Sequence, residues 1–149
     1  MLVSSLSISS PIGNLVIDEE GRAITAIRWS DERASNGSPL LAEAARQLDA
    51  YFAGTLSRFD LPLRPAGSHF ERRVWSAMQK IPYGKTRSYG ELATGIGSAP
   101  RAVGGACGKN PIPIVIPCHR VLAKSGLGGY SGSGGLKTKQ ALLTLEGAL

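Results

Sequence analysis

A chain of 149 residues can hold one compact domain or two small ones, and its 42% hydrophobic content supports a packed core and excludes wholesale disorder. Seventeen Lys and Arg against 11 Asp and Glu leave a formal net charge of +6, which favours a polyanionic partner through counterion release. A membrane partner is disfavoured: no apolar run approaches the roughly 20 residues of a spanning helix, and no block of Lys and Arg stands beside an apolar face.

The opening residues, MLVSSLSISSPIGN, lack the charged and continuous apolar regions of a secretory signal, so a cytoplasmic, intracellular location is expected. Leu2 to Ser9 alternates in part, Pro11-Ile12-Gly13-Asn14 is a turn cluster, and Leu15-Val16-Ile17 resumes an apolar run. Glu20-Gly21 marks a second turn ahead of the apolar and β-branched stretch Ala23 to Trp29, which predicts a short antiparallel meander. Ser38-Pro39 supplies an N-cap and a first-turn proline, and Leu40, Leu41, Ala44, Leu48, Tyr51 and Phe52 follow at helical spacing until Gly54. Residues 54–67, with Pro62 and Pro65, read as a linker between a first α/β domain, 1–65, and a second domain, 66–149.

The second domain opens on Ser68-His69-Phe70-Glu71, a capping box, with Phe70, Val74, Trp75, Met78 and Ile81 as the apolar stripe behind it. Pro82-Tyr83-Gly84-Lys85 ends that helix. Ser88-Tyr89-Gly90-Glu91 is a second capping box, opening a short helix that stops near Gly95. After a tight turn, Pro100 suits the first turn of a third helix through Ala106. Two short helices joined by a glycine-containing turn have the form of a helix-turn-helix. The run Ile112 to Ile116, broken by Pro113, is too short for a helix, residues 126–135 form a glycine loop, and Leu136 to Glu146 closes the chain as an amphipathic helix.

Two cysteines, Cys107 and Cys118, are too few for a disulfide framework, and with only His69 and His119 beside them a four-ligand zinc site is poorly supplied. Cys118 lies in Ile116-Pro117-Cys118-His119-Arg120-Val121. A thiol of ordinary pKa, about 8.5, is only a few per cent thiolate at neutral pH, so a nucleophilic cysteine needs a base or a cation nearby. His119 and Arg120 are adjacent in sequence. Neighbours on a strand point to opposite faces, so His119 helps only if the chain turns here, which Pro117 permits. Adjacency alone favours a buried structural cysteine, and Cys107, among small helical residues without a base, takes that reading outright.

Taken together, IPYGKTRSYGELA, RAVGGACGKNPIPIVIPCHRV, GLGGYSG and LLTLEGA resemble, in order and at compatible spacing, the O6-alkylguanine-DNA alkyltransferase family. The resemblance covers residues 68–147 closely and the region around SPIGNLVI loosely. It implies a small N-terminal antiparallel sheet with a helix, RNase H-like, followed by a mainly helical C-terminal domain with a helix-turn-helix. It also implies irreversible, stoichiometric transfer of an alkyl group from O6-alkylguanine in DNA to Cys118, with O4-alkylthymine as an open second substrate. Within the resemblance His119 takes the thiol proton through a water, Glu146 orients the imidazole, and Asn110 braces the turn that carries the nucleophile. Arg101 matches the family's arginine finger, which fills the gap left by a flipped nucleotide. Tyr89, Tyr130 and Ser131 match the walls of the base pocket, and Lys139 a lysine near it. No metal and no cofactor are implied. The partner that the resemblance implies is double-stranded DNA, met through the minor groove by a monomer.

The glycine loop GYSGSGGLK runs about one residue longer than the family's usual spacing. Each residue also has a bland reading: Glu146 an exposed helix end, Asn110 a helix C-cap, Arg101 a solvated helix residue, Tyr89 a half-buried core tyrosine. The adjacent Gly104 and Gly105 weaken a helix by about 2 kcal/mol relative to alanine, which close approach to DNA and tight helix packing explain equally well. Two other functions compete with alkyl transfer: a non-catalytic binder of alkylated DNA, which leaves the PCHR context and Glu146 unused, and a Cys-His hydrolase of small substrates, which has no use for the charge.

Overall fold

The structure, a computed structural model, describes residues 2–149, and the chain divides after Ala66 into two compact units. In the first, β1 (Val3–Ile8), β2 (Leu15–Glu20) and β3 (Ala23–Trp29) form one antiparallel sheet in the order β1-β2-β3. Ile17 stands opposite Leu6 on one side and Ile27 on the other, and the central run Leu15-Val16-Ile17 is fully buried. Gly21 and Arg22, both in the left-handed region at φ 58° and 64°, make the two-residue turn between β2 and β3. Two left-handed residues give a turn whose twist matches that of paired strands.

The helix α1 (Pro39–Phe52) lies on this sheet through Leu41, Ala44, Leu48 and Tyr51. Ser38 caps it by accepting from the Leu41 N–H at 3.1 Å, and the Ser38 hydroxyl donates to Glu19. Residues 54–66 are no slack linker. The Ile24 N–H donates to the Pro62 carbonyl at 2.8 Å and the Arg64 N–H to the Ile24 carbonyl at 2.9 Å, so the segment runs as a strap along the open edge of β3. Buried Gln47 of α1 clamps the strap with two bonds to the Asp60 backbone, 2.9 and 3.0 Å. The prolines limit the pairing to one bridge, because they cannot donate to a ladder.

The second unit contains α2 (His69–Gln79), β4 (Arg87–Ser88), α3 (Tyr89–Ile96), α4 (Pro100–Gly108), a 3-10 turn at Cys118–Arg120, β5 (Val121–Leu122) and α5 (Leu136–Leu145). Both expected capping boxes form: Ser68 with Glu71 and Ser88 with Glu91 each exchange side-chain and backbone bonds. Helices α2, α3 and α4 pack together over Val74, Trp75, Met78, Leu92, Val103 and Ala106, and the indole of Trp75 donates to the Ala106 carbonyl at 2.9 Å. Gly97 ends α3 at φ 67°, a left-handed C-cap that turns the chain into α4 and completes the helix-turn-helix. Among the described residues no helix is long and apolar enough to cross a membrane.

Candidate active site

The site begins where α4 runs out. Residues 112–121 are buried without a break, although most of them belong to no regular element. Buried backbone polar groups must find partners, and Asn110 supplies two of them. Its Oδ1 accepts from the Ile112 N–H at 2.9 Å and its Nδ2 donates to the Ile116 carbonyl at 2.8 Å. Ile116 N–H closes the turn on the Ile112 carbonyl at 2.9 Å. At the apex Ile114 takes φ 74°, a left-handed conformation that is strained for a β-branched residue. The helix C-cap is Lys109, so Asn110 is free to brace the turn. Asn110→Ala is expected to leave the Ile112 N–H unpartnered and to destabilise the protein by about 1–3 kcal/mol. Chemical denaturation checks this, and an unchanged midpoint contradicts the bracing role.

Cys118 opens the 3-10 turn that follows, its N–H on the Ile116 carbonyl at 2.8 Å. Directly after the turn β5 pairs in parallel with β4, Val121 opposite Arg87 and Leu122 opposite Ser88. This two-residue ladder draws the start of α3, and with it Tyr89, to the cysteine. The result is a cavity of about 430 Å³ that Cys118 lines together with Tyr89, Gly104, Cys107, Gly108, Gly129, Tyr130 and Ser131. Gly104, Cys107 and Gly108 are spaced i, i+3, i+4, so α4 turns one small-residue face to the cavity. A Cβ on Gly104 would stand 4.0 Å from the Tyr89 ring, and one on Gly105 would meet nothing within 4 Å. Tight helix packing therefore does not explain this pair of glycines.

Burial pushes the Cys118 thiol above the usual cysteine range, against the Asn110 side chain and the Lys139 charge, which draw it down. Cys107 is pushed up to about 12, first by burial and then by Cys118, and its sulfur rests 3.4 Å from that of Met78. Both sulfurs are thiols at neutral pH, so a nucleophile here requires a base.

A group able to act as one lies in the same turn. His119 is fully buried, with Nε2 2.7 Å from Glu146 Oε2. Arg120 grips the same carboxylate from Nε to Oε1 at 2.8 Å and from Nη2 to Oε2 at 3.0 Å, while its Nη1 donates to the Ile81 carbonyl at 2.7 Å. Glu146 is the C-cap of α5 and is buried rather than an exposed helix end. Gly84, left-handed at φ 78°, brings its N–H to 3.5 Å from Glu146 Oε1, and a Cβ there would press on the Glu146 carbonyl at 3.1 Å. Burial holds the His119 pKa below the usual imidazole range; Glu146 opposes this and the Arg120 and Lys139 charges add to it. The imidazole is therefore neutral. A carboxylate only accepts, so Nε2 carries the hydrogen and Nδ1 bears a lone pair, for which no described residue is a hydrogen-bond partner.

Lys139 is fully buried, and its Nζ donates to the carbonyls of Val121 at 2.7 Å and Gly129 at 3.0 Å. It also stands 5.9 Å from the centre of the Tyr89 ring. It thus fastens the glycine loop to β5 behind the cavity wall. Tyr130 and Ser131 form the loop side of that wall, and Arg101 sits exposed in the first turn of α4. Arg120 is the functional residue that sequence reasoning misjudged. It stood there as a cation beside the thiol, whereas the structure commits it to Glu146. A charge inside an otherwise apolar buried run needs a partner elsewhere, and that was the available signal.

Residues 69–148 match the 6-O-methylguanine DNA methyltransferase DNA-binding domain, and residues 5–65 match the ribonuclease-like domain of the same family. The chain is 48% identical to the methylated-DNA–protein-cysteine methyltransferase of Mycolicibacterium paratuberculosis, over 97% of this chain and 93% of that one. It is 46% identical to the protein of the same name from Methanosarcina acetivorans, over 93% and 95% of the two chains. The crystal structure of Mycobacterium tuberculosis O6-methylguanine methyltransferase superposes with a TM-score of 0.89 at 44% identity, covering 99% of this chain and 94% of that one. A structure of the Mycobacterium tuberculosis protein in complex with DNA gives 0.88 at 46% identity, covering 97% and 93%. With both halves matched, and full-length relatives well above 30% identity, this chain belongs to the 6-O-methylguanine DNA methyltransferase family.

Proposed function

We propose that the protein repairs DNA directly, moving a methyl or larger alkyl group from the O6 of guanine irreversibly onto Cys118. One observation carries the reading: an open cavity ends on a thiol whose chain neighbour is a neutral, buried imidazole already oriented by a carboxylate. His119 Nδ1 takes the thiol proton through a bridging water, and the thiolate attacks the alkyl carbon in line with the C–O6 bond. The S–C bond forms, the C–O6 bond breaks, and its electron pair leaves on guanine O6. The proton held by His119 returns to the guanine, so the reaction balances without a further reactant. The thioether product gives water no easy route back to the thiol, so each molecule acts once.

DNA is the partner, and the unit from residue 67 onward carries both the thiol and the helix-turn-helix. In this reading the protein acts as a monomer that meets the duplex through the minor groove. Arg101 on the first turn of α4 fills the space of the extruded nucleotide and recovers part of the few kcal/mol lost on unstacking. Tyr89, Tyr130 and Ser131 hold the base, and Asn110 and Lys139 fix the turn and the loop. A purely lesion-binding role leaves the Cys118 and His119–Glu146 arrangement without a task.

Incubation with an O6-methylguanine duplex is expected to add the mass of one methyl group to the Cys118 peptide. An unmodified Cys118 at saturating lesion overturns the proposal. The pH dependence follows from the imidazole. His119 must be neutral to accept the proton, and its pKa lies below the ordinary value of about 6.5. The single-turnover rate is therefore expected to stay level as pH falls through 6.5 and to drop only in more acid solution. A rate that halves at or above that value contradicts the base assigned here.

A further inference from the structure

Arg120 does more in this site than the repair reading requires of it. Resting on that reading, we propose that Arg120 is a positioning residue for the transfer: by holding both oxygens of Glu146 it supplies the counter-charge that lets His119 remain a neutral imidazole with Nδ1 open.

A buried carboxylate must be balanced by a cation or by a proton. The His119 ring at 2.7 Å and the Arg120 guanidinium at 2.8 and 3.0 Å both bond Glu146 and can serve. With Arg120 in place the carboxylate and guanidinium cancel, and the imidazole donates one hydrogen without becoming a cation. Without that charge the His119–Glu146 pair would draw a proton from solvent, and wherever it settled between them the ring could no longer take the thiol proton. The carboxylate thus orients the base, while the arginine keeps the carboxylate from overprotonating it.

Arg120 is itself fixed from a third side by the Ile81 carbonyl at 2.7 Å, with the Tyr83 ring 5.8 Å from its guanidinium carbon. The Tyr83 hydroxyl donates to the Leu145 carbonyl at 3.3 Å, one residue before Glu146. The segment after α2 therefore grips both the arginine and the end of α5. The charged groups acting on His119 are Glu146 and Lys139 from the α5 region and Arg120 from its own turn, with the Cys118 thiol adjacent. From α2, which also packs on this turn, the buried residues Val74, Trp75 and Met78 are all apolar. Lys139 Nζ is committed to two carbonyls, whereas Arg120 bonds the carboxylate at both of its oxygens.

Two substitutions separate charge from hydrogen bonding. Arg120→Gln keeps a donor for Glu146 without the charge, and Arg120→Lys keeps the charge without the fork. The chain has two histidines, His69 exposed and His119 buried, so nitrogen-15 NMR of the imidazoles in the full-length protein can follow each one. In Arg120→Gln, proton uptake by the His119–Glu146 pair is expected to move up by about one pH unit or more, and the acid limb of methyl transfer to move with it. In Arg120→Lys both should stay within about 0.3 pH unit of the wild type. A shift in neither variant, or the same shift in both, overturns the proposal even if both are slower or less stable. Should Arg120→Gln fail to fold, the wild-type spectrum still decides: a hydrogen on Nδ1 at neutral pH overturns it, and a bare Nδ1 beside an unshifted Arg120→Lys supports it. Wild-type protein that methylates Cys118 while Arg120→Gln titrates normally sinks this inference alone, whereas absence of wild-type transfer sinks the repair reading and leaves the titration to judge Arg120.

Discussion

Cys118→Ala is expected to transfer no alkyl group at all, to any residue, while still binding the lesion duplex. The absolute form of this outcome rests on Cys107. That thiol faces the same cavity and is the obvious substitute acceptor. Yet burial, the largest cause of its raised pKa, acts on it with or without Cys118, so at neutral pH it stays a thiol. Its sulfur lies against Met78 on a helix face that offers no imidazole. Mass spectrometry of the variant after prolonged incubation checks this outcome, and methylated Cys107 would show that the cavity, not the His119 arrangement, makes a sulfur reactive. Binding should persist because alanine is smaller than cysteine and leaves the wall residues in place.

Glu146→Leu is expected to destabilise the second unit strongly. Removing the carboxylate leaves the Arg120 charge buried and unpaired and takes the partner from His119 Nε2. Breaking one side of a buried pair typically destabilises by about 3–5 kcal/mol, which for a unit of this size lowers the unfolding temperature by more than about 10 °C. Glu146→Gln, which keeps the shape, should lose less stability and still transfer slowly, since the ring keeps an acceptor but lacks the charge that favours the imidazolium. Calorimetry and single-turnover kinetics read the two effects apart. A Glu146→Leu protein as stable as the wild type would mean that Arg120 finds another partner, and the network as described would be wrong.

Much of this was legible before any coordinates. The capping boxes at Ser68 and Ser88, the cap at Ser38 and the glycine turns are local chemistry, and each fixes its own helix end within four residues. The order of strands in the first unit follows from tight turns, which leave antiparallel neighbours little choice. What stayed hidden depends on contacts between distant residues. The ladder between Arg87-Ser88 and Val121-Leu122 is two residues long and has no pattern to detect. The strap of residues 54–66 shows a linker's composition because its partners are the backbone of β3 and one glutamine in α1. Arg120 reads as a neighbour of Cys118, and only the fold shows that the guanidinium turns to the end of α5.

The left-handed Ile114 has a consequence for how the thiol is aimed. A turn held in an unfavourable conformation by bonds on both sides has one shape or none, so the sulfur's direction is settled when the chain folds rather than at each meeting with DNA. Ile114→Gly would relax the backbone. It would also let the bearing of Cys118 wander, and a protein that fires a single shot gains nothing from a looser barrel.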